Sequence, residues 1–570
     1  MRSTSKQALI LLAAGLQILP AAATAPPHVL KRLDARIPMR DGVRLAANIF
    51  RPDPRARVPT ILIRTPYSKG NELSASHHPF VERGYAVVVQ DVRGRYASEG
   101  AFRPLDQEPE DGYDTLSWIA SQPWSNGRIG MMGGSYVGIV QWKVAVLNHP
   151  NLRAISPVVS GSDDYRDRFY SPGGALKLGH RLLWMRENLR AHNYQPPDFN
   201  RFVLHIPLRT IDRFTTGQTS EMLQRVLDHP SYDGFWQSVS VRGKLSGLRV
   251  PVLAFGGWFD NFVEGDLEAF AAQPATSPYR LVVGAWPHNM SIPFDGIDYG
   301  PSAAQPVRTM QIEWFDHWLK DSPAPLPAGP RLKIFVMGAN RWREESGWPL
   351  AHARVTPYYL HAHSGAGSLS GDGTLSLRRP RREAPDRFVY DPRNPVPTSG
   401  GAVCCNPKIF PWGPLDQRTV EQRRDVLVYT SQPLSHDLEV TGPIRVVAWA
   451  STSAPDTDFT AKLVDVFPDG AARSLTDGIL RLRYRDSLEK PALANPGEIY
   501  RLTINAGVTS NLFAQGHRIR LEISSSNFPR FDRNPNTGRA IADEIGFHAA
   551  SQTVYHDRLH PSHFLLPVVR

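Results

Sequence analysis

The stretch GRIGMMGGSYVGIVQWKVAVLNHP, residues 127–150, decides the fold class. The short apolar run IGMM, residues 129–132, predicts a buried strand, and the apolar spacing after Ser135 predicts a helix. Gly133 and Gly134 lie between the two elements, and glycine adopts backbone conformations that a side chain would block. The sequence therefore predicts a sharp strand-to-helix turn with a serine at its apex.

A serine in this position is typical of the nucleophile elbow of α/β-hydrolases, where the hydroxyl projects above the sheet and the helix N-terminus faces the reacting carbonyl. The general signature G-x-S-x-G is not met, because position 137 is Val137 and the next glycine is Gly138. Taken alone, the pattern fits an ordinary glycine-rich turn equally well.

A catalytic serine needs a base to accept its proton and an acid to orient that base. In α/β-hydrolases the chain order is Ser, then Asp or Glu, then His, with each residue at the end of a strand. The run VPVLAFGGWFD ends at Asp260, and YRLVVGAWPH ends at His288. Either residue alone is more typical of a turn or of packing, but the order of all three predicts a Ser135, Asp260 and His288 triad at the carboxyl edge of one sheet.

Three patterns of apolar residues divide the chain into regions. Strand-like and helix-like runs alternate over 28–161 and again over 246–349, which predicts one α/β domain with a parallel sheet. Helical spacing dominates 162–245 and predicts a helical cap inserted into that domain. Alternating runs separated by turn clusters predict an all-β jelly roll over 350–570. Its Arg-, Pro- and Gly-rich part, 363–402, is expected to be a connecting passage or an ordered loop.

The N-terminus has the three-part pattern of a secretory signal peptide over residues 1–25: two basic residues, an apolar run, then small residues. Cleavage is expected after Ala23 or Ala25, and Ala23 is preferred because the other cut would leave Pro26 at the new terminus. No later apolar run is long enough to span a membrane. We therefore expect a periplasmic or secreted protein.

The formal net charge is +11 at a length of 570 residues. Such a charge can attract nucleic acid, but no nucleic-acid-binding motif is present, so no nucleic-acid partner is expected. The sequence leaves the oligomeric state open. It also leaves open whether the two adjacent cysteines, Cys404 and Cys405, are bonded to each other.

Neither a zinc-ligand spacing nor a glycine-rich phosphate loop is found in the sequence. Asp456 and Asp458 lie near a predicted strand start, but two carboxylates are too few for the six to eight oxygens that calcium takes. We expect no metal and no cofactor.

Beyond these patterns, the chain resembles a known family of serine hydrolases, the cocaine esterase and glutaryl-cephalosporin acylase group. Its wider relatives include X-prolyl dipeptidyl peptidases and α-amino-acid ester hydrolases. The motifs that carry the resemblance are RTPYSK at 64–69, QDVRGRYASEGAF at 90–102, GGSYVG at 133–138, GGWFDNF at 256–262, GAWPH at 284–288, SGGAVCC at 399–405 and SSSNFPRFDRNPNTG at 524–538.

The resemblance implies a role for each matching residue. Ser135 matches the nucleophile of the family motif G-x-S-Y-x-G, Asp260 the triad acid and His288 the base. Tyr67 matches a tyrosine whose hydroxyl stabilises the oxyanion, and the backbone N–H of Tyr136 is the second donor. The family fold is an α/β-hydrolase domain with an inserted helical cap and a C-terminal jelly roll.

The substrate is expected to be a small ester or amide. In the amino-acid ester hydrolases, acidic residues soon after the triad aspartate bind the substrate ammonium, whereas here Glu264 comes only four positions after Asp260. Phe262, Trp258 and Trp184 instead suggest an apolar or aromatic acyl site. Two alternatives stay open: an X-prolyl dipeptidyl peptidase or β-lactam side-chain acylase, and a non-catalytic glycan-binding protein.

Overall fold

The computed structural model describes residues 29–52, 55–294, 296–321, 323–326 and 329–570. The predicted signal peptide lies outside these residues, and its prediction stands untested. Within the described part of the chain, no helix is both long and apolar enough to cross a membrane.

A 10-stranded sheet forms the N-terminal half, in the order β1-β2-β4-β3-β5-β6-β7-β8-β9-β10. Its strands are β1 (Leu30–Pro38), β2 (Arg44–Arg51), β3 (Val58–Thr65), β4 (Ala86–Asp91), β5 (Ser125–Gly134), β6 (Leu152–Val158), β7 (Val252–Phe259), β8 (Tyr279–Pro287), β9 (Leu332–Val336) and β10 (Arg341–Glu345). The strands from β4 to β9 pair in parallel, and antiparallel strands close both edges. The predicted parallel sheet is confirmed.

Helices cover both faces of this sheet, so its central strands are buried throughout. Successive residues of β3 point to opposite faces: Ile61 and Ile63 pack with Phe80 and Phe315, whereas Leu62 belongs to the other core cluster. The helices of the chain are α1 (His78–Glu82), α2 (Glu108–Ser121), α3 (Tyr136–Ala145), α4 (Gly179–Asn188), α5 (Phe199–Phe202), α6 (Ile211–Thr216), α7 (Glu221–Asp228), α8 (Gly234–Val239), α9 (Val263–Ala271), α10 (Val307–Leu319) and α11 (Arg418–Glu421).

Residues 159–251, between β6 and β7, are all described and contain no strand of the sheet. This segment begins with a single turn of π-helix, Asp164–Phe169, and continues through α4 to α8. It is the helical segment that the sequence predicts between the two parts of the α/β domain. The exact domain bounds stay a prediction.

An 11-stranded sheet forms the C-terminal half, and most of its strand pairs are antiparallel. Its strands are β11 (Arg354–His361), β12 (Thr374–Ser376), β13 (Asp386–Tyr390), β14 (Leu427–Ser431), β15 (Leu438–Thr452), β16 (Asp458–Val466), β17 (Ala472–Arg481), β18 (Tyr500–Phe513), β19 (Arg518–Ser524), β20 (Ala550–Tyr555) and β21 (His563–Val569). The all-β character is confirmed, and the jelly-roll topology stays a prediction. The expectation of a passage or loop over 363–402 is wrong in part, because β12 and β13 lie there and pair within this sheet.

The two halves meet at the start of α4. The backbone N–H of Leu178 donates to the carbonyl of Arg530 at 3.0 Å, and that of Gly179 donates to the carbonyl of Pro529 at 2.7 Å. These bonds satisfy amides that the first turn of a helix leaves unpaired. The C-terminal half therefore holds the cap helix that reaches the site described below. In the same half, Cys404 and Cys405 form a vicinal disulfide.

Candidate active site

Ser135 stands between the last residue of β5 and the first of α3. Its φ of 56° and ψ of −125° form a strained backbone conformation of the kind found at nucleophile elbows. A Cβ on Gly133 would lie 2.3 Å from Cγ1 of Val137, and one on Gly138 would lie 2.6 Å from Cβ of Ser160. The turn therefore needs glycine at 133 and 138, which explains why the motif tolerates valine at 137.

Asp260 and His288 each follow directly after a strand, β7 and β8, on the same sheet edge as Ser135. His288 Nε2 lies 3.0 Å from Ser135 Oγ, and His288 Nδ1 lies 2.6 Å from Asp260 Oδ1. Asp260 is fully buried, and its Oδ2 accepts the backbone N–H of Phe262 at 3.1 Å. With the imidazole proton on Nδ1, Nε2 is free to accept the proton of the serine hydroxyl.

Tyr67 lies two residues beyond the end of β3, on the same edge. Its hydroxyl oxygen accepts the indole N–H of Trp184 at 3.0 Å. Because an indole N–H is only a donor, the phenol hydrogen stays available to a different acceptor. Tyr136 is the first residue of α3, and its backbone N–H is one of those that a helix leaves unpaired. Tyr136 directly follows the serine, and Tyr67 lies on the same edge of the sheet.

The side chain of Tyr136 is anchored away from the serine. Its hydroxyl donates to Glu108 Oε1 at 2.6 Å, and Glu108 forms a fully buried ion pair with Arg64 at 2.7 Å. Burial and the charge of Glu108 raise the pKa of Tyr136 well above its usual value, so the phenol stays protonated. Its ring also stacks on that of Trp184, with centroids 6.3 Å apart. The anchor fixes the first turn of α3.

Of the three predicted substrate-binding residues, the structure brings two to the site. Trp184 reaches Tyr67, and the Phe262 ring centroid lies 5.7 Å from that of His288. Trp258 is only 1% exposed, and its indole N–H donates to the carbonyl of Phe335 in β9 at 2.7 Å. Trp258, predicted to contact the substrate, is thus a core residue in the structure. A large indole with a satisfied N–H is more stable when buried.

A second carboxyl lies near Asp260. Asp266, in α9, is buried, and its Oδ1 accepts the backbone N–H of Gly161 at 3.0 Å. Burial and the charge of Asp260 raise the pKa of Asp266 well above its usual value. Asp266 therefore holds its proton more tightly than an ordinary aspartate.

The carboxylates weighed for calcium are engaged elsewhere. Asp456 pairs with Arg483 at 2.8 Å, and Asp458 pairs with Arg481 at 2.9 Å. No cluster of three or more potential metal-binding His, Cys, Asp or Glu side chains occurs among the described residues. The site is thus built from a serine, a histidine, a carboxylate and hydrogen-bond donors.

Residues 41–290 match the family described as X-Pro dipeptidyl-peptidase (S15 family), and residues 328–564 match its C-terminal non-catalytic domain. The cocaine esterase of Rhodococcus sp. (strain MB1 Bresler) is 41% identical, over 94% of this chain and 98% of that protein. This chain belongs to the S15 family. The family resemblance that the motifs indicate is confirmed.

Two solved structures resemble this S15 member over nearly its whole length. An aminopeptidase from a marine-sediment Thaumarchaeota archaeon covers 98% of this chain, with a TM-score of 0.83 and 26% identity, and 99% of it is matched. An α-amino-acid ester hydrolase covers 96%, with a TM-score of 0.83 and 27% identity, and 98% of it is matched. This S15 member is a serine hydrolase with an α/β-hydrolase domain and a C-terminal β-rich domain.

Proposed function

We propose that this protein is an exported serine hydrolase that cleaves ester or amide bonds through an acyl-enzyme. The observation that carries the proposal is the unbroken chain of hydrogen bonds from Ser135 through His288 to Asp260. Three side chains on three separate strand ends meet in the order that this chemistry requires. The export part depends on the signal-peptide pattern of residues 1–25.

In the first half-reaction, Ser135 Oγ attacks the substrate carbonyl carbon while His288 Nε2 takes the hydroxyl proton. Asp260 orients the imidazole and stabilises the imidazolium. As the tetrahedral intermediate collapses, His288 returns the proton to the leaving oxygen or nitrogen. Water then attacks the acyl-enzyme by the same route, which releases the acid and restores Ser135.

The developing oxyanion is placed between the Tyr67 hydroxyl and the Tyr136 backbone N–H. The bond from Trp184 fixes the Tyr67 oxygen, so the phenol hydrogen is oriented before charge develops. Preorganised donors of this kind favour the transition state over the ground state.

The family match also favours a second candidate, release of an N-terminal X-Pro dipeptide. Such a substrate carries an ammonium group that needs a carboxylate. Glu264, the first acidic residue after Asp260, already accepts the side-chain N–H of Asn505 at 2.7 Å. We therefore place simple esters and amides ahead of X-Pro peptides and β-lactam amides, and hydrolysis rates for aryl esters, X-Pro-anilides and glutaryl amides decide the order.

The decisive test uses a fluorophosphonate, which labels an activated serine. Stoichiometric labelling of the mature protein, mapped by peptide mass analysis, is expected at Ser135 and is expected to be lost in His288→Ala. A folded protein that takes up no label, or takes it up at another serine, would refute the proposed triad.

A further inference from the structure

The first turn of α4 carries two buried side chains that the proposed mechanism does not use. His180 is 1% exposed and Arg181 is 6% exposed. Both ring nitrogens of His180 and the Nε of Arg181 have no hydrogen-bond partner among the described residues. Buried polar groups are nearly always paired, so three unpaired nitrogens on neighbouring residues call for a ligand.

The charge of Arg181 is also uncompensated. It forms no ion pair with any residue of the described chain, and its Nη2 donates to the carbonyl of Arg168 at 2.7 Å. Arg168 and Lys143 both pair with Asp164, at 3.2 and 2.6 Å. Asp164 is thus shared by two other cations, and the Arg181 guanidinium carbon instead lies 4.7 Å from the ring centroid of Phe169. Arginine is rarely buried without a partner, because removing its charge from water is costly.

The position of Arg181 in α4 increases this imbalance. It lies in the first turn, where the helix dipole is positive, and no acidic residue occupies that turn. Burial and the charge of Arg168 lower the pKa of Arg181 to about 9, which still leaves the guanidinium charged at neutral pH. This turn therefore presents one cation and three unpaired nitrogens, a set of groups that suits an anion.

Trp184 links Arg181 to the site. The Arg181 guanidinium carbon lies 5.9 Å from the ring centroid of Trp184, whose N–H binds Tyr67. Burial and nearby cations lower the pKa of His180 well below its usual value, so its ring is neutral and offers one donor and one acceptor.

We propose that Arg181, assisted by His180, binds a carboxylate of the substrate, so that this hydrolase prefers esters or amides with an anionic group. The guanidinium supplies the charge and a planar set of N–H donors that fits a carboxylate. The neutral imidazole supplies a further N–H. The inference rests on the proposed function and specifies its substrate class.

The test compares matched pairs of esters on the full-length mature enzyme. For the acyl part, mono-(4-nitrophenyl) glutarate is compared with its methyl ester; for the leaving group, 4-acetoxybenzoate is compared with methyl 4-acetoxybenzoate. We expect kcat/KM to favour the anionic member of one pair by at least about tenfold. The pair that responds tells whether the carboxylate belongs to the acyl or the leaving group. Equal kcat/KM within both pairs would overturn the proposal.

Variants then assign the preference to one side chain. Arg181→Gln is expected to reduce the anionic-to-neutral ratio at least about tenfold, mainly through KM, and Arg181→Lys is expected to retain part of it. Arg190→Gln, an exposed arginine just beyond α4, is the matched control and is expected to keep the wild-type ratio. A ratio that survives in folded Arg181→Gln would overturn the assignment. Should that variant fail to fold, the wild-type pairs and Arg181→Lys still decide.

Direct binding separates this inference from the proposed function. Glutarate should raise the melting temperature of Ser135→Ala, and the increase should be smaller in Ser135→Ala combined with Arg181→Lys and absent in Ser135→Ala combined with Arg181→Gln. If no ester is hydrolysed but glutarate still binds through Arg181, the proposed function fails and the anion site stands. If esters are hydrolysed and glutarate does not bind, the anion site fails alone.

Discussion

The active site has two halves that satisfy their polar groups differently. On the sheet half, Ser135, His288 and Asp260 form a closed series of hydrogen bonds, each supported by a strand end. On the cap half, His180 and Arg181 are buried with unpaired nitrogens. A group whose partner is in the protein is ready for chemistry that many substrates share. A buried group without a protein partner can instead bind one chemical class of ligand. The sheet half therefore accounts for reactivity, and the cap half is proposed to account for selectivity.

The largest effect is expected at the nucleophile. Ser135→Ala removes the attacking oxygen and should reduce kcat by roughly 10⁶-fold. Ser121→Ala, at the exposed end of α2, serves as the matched control and should leave kcat unchanged. Steady-state kinetics on one neutral aryl ester measures both. A substantial rate in Ser135→Ala would contradict the assignment of the nucleophile to the sheet half.

The next largest effect separates two buried carboxyls of the sheet half. Asp260→Asn cannot hold the imidazole in the required tautomer and should reduce kcat by about 10⁴-fold. Asp266→Asn makes the same exchange at a carboxyl that does not bond His288 and whose pKa is raised, and its kcat should stay within about threefold of wild type. Equal losses in the two variants would contradict the assignment of the orienting role to Asp260 alone.

Tyr67 joins the two halves, since it follows a sheet strand and binds a cap residue. Tyr67→Phe removes one oxyanion donor and should cost about 2.7–4 kcal/mol of transition-state stabilisation, or roughly 10²–10³-fold in kcat. Tyr96→Phe is the control, because Tyr96 is 60% exposed, and it should leave kcat unchanged. Unchanged kinetics in Tyr67→Phe would remove this hydroxyl from the mechanism.

A smaller effect is expected one bond farther into the cap. Trp184→Phe keeps an aromatic ring over Tyr136 but loses the hydrogen bond to Tyr67. A single hydrogen bond of this kind contributes about 0.5–1.5 kcal/mol, so kcat should fall about twofold to tenfold. In a Tyr67→Phe background the same change should have almost no further effect. Full additivity in that double-mutant cycle would show that the two residues act independently.

The smallest effect on activity but a clear effect on stability is expected at Asp266, a buried carboxyl of α9 whose pKa is raised. Its pKa is higher in the folded than in the unfolded protein, so the folded state binds more protons and wild-type stability falls as pH rises above about 4. Asp266→Asn lacks this titration. The melting temperature of the variant relative to wild type should therefore increase from pH 5 to pH 8, and a constant difference would contradict the assignment.

The sequence alone predicts the sheet half well because its signals are local. A strand, a glycine pair and Ser135 are contiguous in the chain, and the two partners each end an apolar run. The cap half is different. Nothing in the run GHRLLWMREN shows that Arg181 is buried or lacks a carboxylate, since both depend on how the cap packs on distant segments.

Packing against distant segments also explains why the burial of two further residues is not predicted from the sequence. Glu108 lies in the run DQEPED, which is typical of a solvated surface, yet it is fully buried against Arg64 and anchors Tyr136. Trp258 lies within the motif GGWFDNF, two residues before Asp260, yet its indole points into the core. Proximity in sequence to a catalytic residue does not tell which way a side chain faces.

The carbonyls of Pro529 and Arg530 bind the start of α4, which carries both Arg181 and Trp184. The proposed selectivity therefore depends on both domains. An exchange of the C-terminal domain between relatives would replace the support of the cap helix while leaving every catalytic side chain in place. Such a chimera is expected to keep its hydrolytic chemistry and to change its preference among substrates.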